Sequence, residues 1–359
     1  MELAQVVLNG LLLGGVYAVM VLGFSIIWGV LRIVNLAHGE FVMFGALLGW
    51  VLFNPDRTDV AVGIGRHSIA AYALLWVAVG LAVGYTTATY WLRQRRIAPA
   101  MRWALSGIVG AGAGPGVYAL LAAAGRPSLH PLLAVPVAAL VAFAAGDLLQ
   151  RAVLNRVIER EHLIPLLITF GTAIVMANSA QLIFGGDPRQ IILGGRANFE
   201  PVAGLAIPRV RLVVFVTALL TAGLLAVWLA RTRTGKTIRA ASQHKLAARV
   251  VGIDIDRTYA LTFGICVAIT AAAGVLVAPL QPITPAIGPE LTLKAFAITA
   301  LGGLGSVPGA LAGGITLGVA EALVGRYVGA GWAVALAFVV LVLVLLTRPA
   351  GLFGRAAPA

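Results

Sequence analysis

The sequence predicts an all-α polytopic membrane protein, and three observations carry that expectation. Of its 359 residues 60% are hydrophobic and 11% charged, with a mean hydropathy of +0.98, whereas a soluble domain is about a quarter charged. About ten apolar segments approach the ~20 residues that cross ~30 Å of hydrocarbon as helix, which favours helices over a barrel. Glycine (43) and proline (17) are abundant; membrane helices tolerate both, because small residues let backbones approach and neighbours satisfy the freed polar groups.

The first span is predicted at Val6–Val30. Met1–Asn9 has no basic stretch, so this segment reads as a genuine span rather than a cleaved leader. The polar run from Arg32 through Asn35, His38, Gly39 and Glu40 separates it from a short apolar piece, Phe41–Phe53. A break beside a short piece predicts a discontinuous or re-entrant helix, since unwound backbone survives at membrane depth only where protein or a cavity satisfies it. After the polar loop Asn54–Ser68, the span Ile69–Leu92, the basic turn Arg93–Arg102 and the Gly-rich stretch Trp103–Gly125 form an apolar hairpin over 69–125. Spans follow at Pro131–Leu149, Leu163–Phe184 and Leu212–Ala230. Between the last two, Gly185–Arg211 carries Gly-Gly-Asp-Pro at 185–188 and Gly-Gly at 194–195, which is turn chemistry.

Tyr259–Pro279 is the next span, and Pro282, Pro285 and Pro289 keep the stretch after it from being continuous helix. Leu291–Leu301 is predicted as a half-helix ending in a Gly/Pro-rich break over Gly302, Gly303, Gly305 and Pro308. Gly309 with Gly313, and Gly314 with Gly318, have the GxxxG spacing of close helix contacts. Trp332–Leu346 is the last span, so residues 1–353 read as one transmembrane domain.

A net charge of +13 would suggest nucleic acid in a soluble protein, but here topology accounts for it and no nucleic-acid partner is expected. Arg93–Arg102, Arg151–Arg160 and Arg231–Arg257 hold 14 of the 26 Lys and Arg. The excess of positive charge in short loops on the cytoplasmic side places all three there. The amino terminus, Asn54–Ser68 and Gly185–Arg211 are then exterior. Cys266, alone in an apolar run, is expected to pack rather than react.

The chain carries no Walker A, HExxH or GxSxG pattern, no paired cysteines and no acidic metal cluster. It is therefore expected to be non-catalytic, without a cofactor or metal of its own, drawing energy from an ion or from another subunit. Glu40, Asp147, Glu290 and Glu321 lie in apolar sequence, the first sign of ion coupling. Each also has an ordinary reading: Glu290 with Lys294 and Asp147 with Arg151 are i,i+4 pairs, and Glu321 lies near Arg326. An ion-coupled secondary transporter of small organic solutes, using Glu40 or Glu321, is thus the alternative function. Asn35, His38 and Glu40 either line a translocation pathway or satisfy the broken helix.

In the basic loop 231–257, Thr234 or Thr237 is predicted to cap a helix over about Ile238–Val251, with Gly252 as its stop. Such a helix can lie on anionic lipid or enter a groove on a soluble partner. Its mostly alanine face anchors poorly in lipid, which favours the partner.

At these residues the chain resembles a known family, the branched-chain amino acid ABC importer permeases of the LivH type. Gly14-Gly15-Val16-Tyr17-Ala18, Gly23 and Arg32–Glu40 are similar to its amino-terminal signature, and Phe184–Pro188 to its exterior turn. Gly235, Lys236, Arg239, Ala240, Ala241, Ala247, Ala248 and Gly252 fall in its cytoplasmic coupling segment; Lys294-Ala295-Phe296 and Gly302–Ala310 resemble its carboxy-terminal signature. The likeness covers Met1–Phe53 and Pro131–Phe353, leaving 69–125 as an inserted hairpin. It implies an inner-membrane pore subunit of a bacterial importer, paired with a second permease. It also implies two ATPases that bind the ATP and dock on the coupling segment, and an extracytoplasmic solute-binding protein; lipid surrounds the rest.

Overall fold

The computed structural model describes residues 2–53, 78–91, 98, 101, 103–111, 131–161, 163–192, 199–202, 205–348 and 351–353. The expected loop at 54–68, most of the basic turn 93–102, the outer parts of the 69–125 hairpin and Gly194-Gly195 lie outside them.

Among the described residues the regular structure is helical apart from one small hairpin and an isolated bridge between Arg189 and Ile283. The helices are α1 (Glu2–Leu31), α2 (His38–Phe53), α3 (Pro131–Ala152), α4 (Leu163–Phe184), α5 (Arg209–Arg231), α6 (Arg233–Gln243), α7 (Lys245–Val250), α8 (Ile255–Val277), α9 (Gly288–Gly302), α10 (Val307–Tyr327) and α11 (Ala330–Thr347). Segments 78–86 and 103–111 are helical as well. Seven of the described helices are long and apolar enough to cross a membrane; α2, with 16 residues, and α9, with 15, are shorter. The exterior segment read as turns contains the antiparallel pair β1 (Phe199–Val202) and β2 (Leu205–Pro208), with Glu200 opposite Ile207.

α1 and α8 form the centre. α1 lies along α10 at near-backbone distance: Gly10, Gly14 and Ala18 face Gly314 and Gly318, and a methyl group on Gly314 would stand 2.6 Å from the Ala18 nitrogen. The GxxxG glycines divide between two partners, since Gly309 and Gly313 face α9 at Gly302 and Ile298. α8 packs against α2, where Gly45 meets Ala271, and against α3, where Gly146 meets Val267. Cys266 is buried and free among these contacts.

Opposite ends of the molecule gather opposite loops. At one end Gln5 Nε2 donates to the Ala206 carbonyl (2.8 Å), Glu2 pairs with Arg326, and Arg189 and Ile283 exchange backbone hydrogen bonds of 2.8 and 2.7 Å. At the other, Glu159 binds Lys245 and Arg249, and Asn155 Nδ2 donates to the Asp256 carbonyl (3.1 Å). The basic loops 151–160 and 231–257 thus share one end and the segment 185–208 lies at the other, as the charge count predicts. Orientation of the whole follows from the excess positive charge of that first end.

Candidate functional site

Two half-helices meet head to head. α1 ends at Leu31, and the next residue, Arg32, takes a positive φ of 54° and turns the chain back. Asn35 Oδ1 accepts from Ala37 N (3.2 Å), Leu36 N donates to Thr169 Oγ1 of α4 (3.2 Å), and His38 Nε2 donates to the Met20 carbonyl (3.0 Å), well inside α1. α2 therefore starts beside the body of α1 and not at its end. Its Gly39 N donates to Thr292 Oγ1 of α9 (2.8 Å), and a methyl group on Gly288, the first residue of α9, would lie 2.6 Å from the Glu40 carboxyl carbon. α2 runs from this junction alongside α8 toward the exterior end, and α9 runs the other way, to Gly302.

A helix amino terminus carries roughly half a positive charge, so two facing termini repel and attract anions. Glu40 and Glu290 stand in the first turns of α2 and α9 and offset that charge. The sequence-predicted trio comes together here: Asn35, His38 and Glu40 are 1%, 1% and 3% exposed. Asn35 bonds the broken backbone and His38 the body of α1, while Asn35 Nδ2 and Glu40 Oε2 are buried without a hydrogen-bond partner among the described residues.

The second predicted break is a separate place. Gly302 is the last residue of α9, Gly303 and Gly305 have positive φ of 101° and 79°, and Ser306 Oγ accepts from Gly309 N (3.1 Å) to cap α10. Pro308 lies inside the first turn of α10, where its missing N–H is no loss, so the unwound stretch is shorter than the sequence suggested. Gly305 rests on Gly29 of α1, and Leu352 N and Phe353 N donate to the Leu301 and Gly302 carbonyls (2.8 and 3.0 Å). A crevice of ≈ 310 Å³ joins Gly29 and Gly305 to Ile238 and Arg239 of α6. The break thus sits beside the coupling segment.

Between the two junctions, Lys294 Nζ of α9 reaches Glu321 of α10 (2.8 Å), Glu290 (3.1 Å) and Tyr17 Oη of α1 (3.1 Å). The expected Glu290–Lys294 and Asp147–Arg151 pairs are present, the latter at 2.7 Å. Glu321 does not pair with Arg326, which binds Glu2 instead. Sequence reasoning found these charges but missed Tyr17 and the meeting of three helices. The signal available was a lysine and two acids in otherwise apolar sequence.

The coupling segment is two helices, not the single one expected over Ile238–Val251. Its cap is Thr232, whose Oγ1 accepts from Gly235 N (3.0 Å), and His244 Nδ1 accepts from Ala247 N (3.1 Å) to start α7. Gly252, at φ +84°, is the stop the sequence predicts. Arg239 fastens α6 to α5 by donating to the Leu229 and Ala230 carbonyls (2.6 and 3.2 Å), which lack helical partners at a helix carboxy terminus. Gly235, Ala241 and Ala248 face the body of the protein, Lys236, Arg239, Ala247 and Gly252 face outward, and Ala240 is half-buried. Leu246, Val250 and Val251 were not predicted, yet they are 66%, 87% and 74% exposed at the same end. The break at His244 turns this apolar face outward. Lys245 and Arg249 donate to Glu159 (2.5 and 2.8 Å), and these bonds hold its carboxyl below the ordinary value of 4.5.

The family model for "branched-chain amino acid transport system / permease component" matches residues 6–110 and 103–345. The chain belongs to this family. The permease is 28% identical over 358 residues to the high-affinity branched-chain amino acid transport system permease protein LivH of Escherichia coli K12, covering 98% of this chain and 95% of the relative. Against the corresponding protein BraD of Pseudomonas aeruginosa PAO1 it is 28% identical over 352 residues, with the same coverage. No solved structure matches the chain. The permease is thus a non-catalytic, multi-span membrane component of a transport system, a kind of subunit that works with others.

Proposed function

We propose that this permease is one of two related pore subunits of an ATP-driven importer for branched-chain or related hydrophobic amino acids in a bacterial inner membrane. An extracytoplasmic binding protein delivers the solute at the end formed by the 185–192 segment and β1–β2. Two ATPases hold the ATP and dock at α6–α7, and the permease itself contributes no cofactor. The outward apolar face Leu246, Val250 and Val251 carries this reading. Such a face on a short helix beside the membrane suits insertion into a groove on a soluble partner.

A push on α7 has a route inward. α6 is pinned to α5 by Arg239 and borders the crevice at Gly29 and Gly305, so its displacement bears on the α9–α10 break. From there α9 leads to its junction with α2. Interfaces of this kind change in discrete steps because packed elements have few alternative arrangements.

The test uses proteoliposomes holding the permease, its partner permease and the ATPases, with loaded binding protein added. Leu246→Asp leaves the fold of this exposed site intact and is expected to lower stimulated ATP hydrolysis roughly 30-fold, the ~2 kcal/mol of a docking hot spot. Undiminished stimulation sinks the docking role. Ion-dependent uptake by this chain alone would replace the ATP-driven reading with the secondary-transporter alternative.

A further inference from the structure

Segment 78–91, against which 103–111 packs at Gly84 and Gly110, is fastened to α3 by a polar knot that the transport reading does not use. Asp147 of α3 has no exposed surface. Its carboxylate accepts from Tyr85 Oη (2.6 Å), from Tyr90 Oη and from Arg151 Nε (2.7 Å), while Arg151 Nη2 also donates to Tyr90 Oη (2.9 Å). Tyr90 belongs to the π-helical turn Thr87–Trp91, whose widened geometry lets it reach Asp147 together with Tyr85, five residues earlier.

Held this way, the two segments and α3 enclose an open groove of ≈ 770 Å³, lined by Leu81, Gly84, Trp103, Gly107, Val141 and Leu148 among others. Two of its polar groups are already engaged: Ser106 Oγ donates to the Trp103 carbonyl (2.9 Å) and Tyr85 Oη to Asp147. The groove therefore offers an occupant mainly hydrocarbon contact. Leu81 and Leu148 on its rim are 70% and 53% exposed, so it opens sideways, where lipid lies.

The cytoplasmic end of the groove has the opposite character. One turn beyond Leu148 stands Arg151, and the guanidinium carbons of Arg151 and Arg257 lie 5.6 and 5.7 Å from the Tyr90 ring centroid. Both guanidiniums lie near one ring and, among the described residues, the carboxylate bonded there is Asp147, held by Arg151, which leaves an excess of one positive charge. Around this cluster the acids Asp254, Asp256, Glu159 and Glu161 are matched in number by Arg156, Arg160, Lys245 and Arg249. We propose that this groove is a site for one anionic phospholipid of the cytoplasmic leaflet, an acyl chain lying against Gly107 and Trp103 and the phosphate between Arg151 and Arg257. Basic residues at the inner leaflet attract anionic headgroups, and aromatic side chains such as Trp103 and Tyr90 suit the headgroup level.

Native mass spectrometry of the whole purified chain, offered phosphatidylglycerol or phosphatidylcholine with identical acyl chains, tests this. Wild type is expected to retain phosphatidylglycerol over phosphatidylcholine roughly fivefold, the equivalent of ~1 kcal/mol for one net positive group near an anionic headgroup. Gly107→Leu fills the groove, and a side chain there meets nothing within 4 Å, so retention of both lipids should fall while the chain stays folded. Gly171→Leu, an equally open site on α4, is expected to retain lipid like wild type. Arg257→Gln should erase the headgroup preference and leave the acyl contact. The proposal is overturned if wild type holds both headgroups equally, if Gly107→Leu retains phosphatidylglycerol undiminished, or if Gly107→Cys in the assembled transporter cross-links to a partner polypeptide.

Discussion

α1 and α11 are both apolar helices of one bundle, yet 89% of the apolar stretch of α1 is buried in the protein against 17% in α11. α8 and α5 repeat the contrast, at 83% and 22%. Hydrophobicity does not separate the pairs, because lipid is as apolar as a protein core and supplies no force that sorts leucine inward. Small and polar residues that meet a neighbouring helix separate them: Gly274 of α8 abuts Val42, whereas Gly223 of α5 meets nothing within 4 Å. α1 has glycines at 10, 14, 15, 23 and 29 and α8 has threonines at 258, 262 and 270, whereas α11 beyond its first turn is almost wholly Val, Leu, Ala and Phe. In a membrane the centre of the fold is written in the residues that let backbones touch.

The sharpest break of that contrast is one substitution made in both regions. A side chain at Gly318 would collide with the backbone of Gly14, while one at Gly223 of α5 or Gly331 of α11 meets nothing within 4 Å. Gly318→Leu is expected to destabilise the chain by at least ~3 kcal/mol, the upper range of overpacking, because backbone and not a flexible side chain must move. Gly223→Leu and Gly331→Leu should stay within about 0.5 kcal/mol of wild type. Thermal unfolding in detergent measures all three, and equal effects at Gly318 and Gly331 would remove the distinction between centre and rim.

The next effect concerns charge in the centre. Lys294→Met leaves Glu321 and Glu290 without their shared cation, and breaking a buried pair from one side costs about 3 kcal/mol. Glu290 is the more exposed of the two carboxylates, so most of the loss should come from Glu321. Adding Glu321→Gln to Lys294→Met is therefore expected to recover part of the stability. No recovery would mean that Lys294 acts by filling space. A smaller loss, about 1–2 kcal/mol, is expected for Thr292→Val, which deprives Gly39 N of its acceptor at the half-helix junction. Thr217→Val on α5, whose hydroxyl only donates back to Val213, should change little on the same melting curves.

Much of this layout is legible in the sequence, and the failures have a pattern. Among the described residues, most span positions, the half-helices and the ends at which 151–160, 185–208 and 231–257 lie follow from apolar run length, glycine and proline breaks and arginine counts, all of them local signals. Asn35, His38 and Glu40, near neighbours in the chain, are buried together at the junction. What the sequence missed is long-range: the meeting of Gly39 with Thr292, Glu321 choosing Lys294 over Arg326, and Tyr85 and Tyr90 converging on Asp147. The coupling segment failed for a different reason. Helical spacing runs unbroken through Ile238–Val251, and only the extended backbone of His244, a cap for the residues after it, splits it and turns Leu246 outward.

Outside the membrane the contrast between centre and rim reverses, and polar contacts do the holding on an exposed surface. α7 has six residues, too few to be stable alone, and it is tied down by Ala248 beneath it and by Glu159 beside it. The Glu159 carboxyl sits below the ordinary 4.5 because Lys245 and Arg249 bind its ionised form. Its contribution is therefore complete at pH values above 4.5 and disappears as the pH falls through the depressed folded-state value. Both partners are water-exposed and such pairs are weak, so the effect is local. Glu159→Gln at pH 7 is expected to speed amide exchange in 245–250 by roughly two- to fivefold and to leave α8 unchanged. Salt should shrink the difference between variant and wild type, and no difference even at low salt would assign the anchoring of α7 to Ala248 alone.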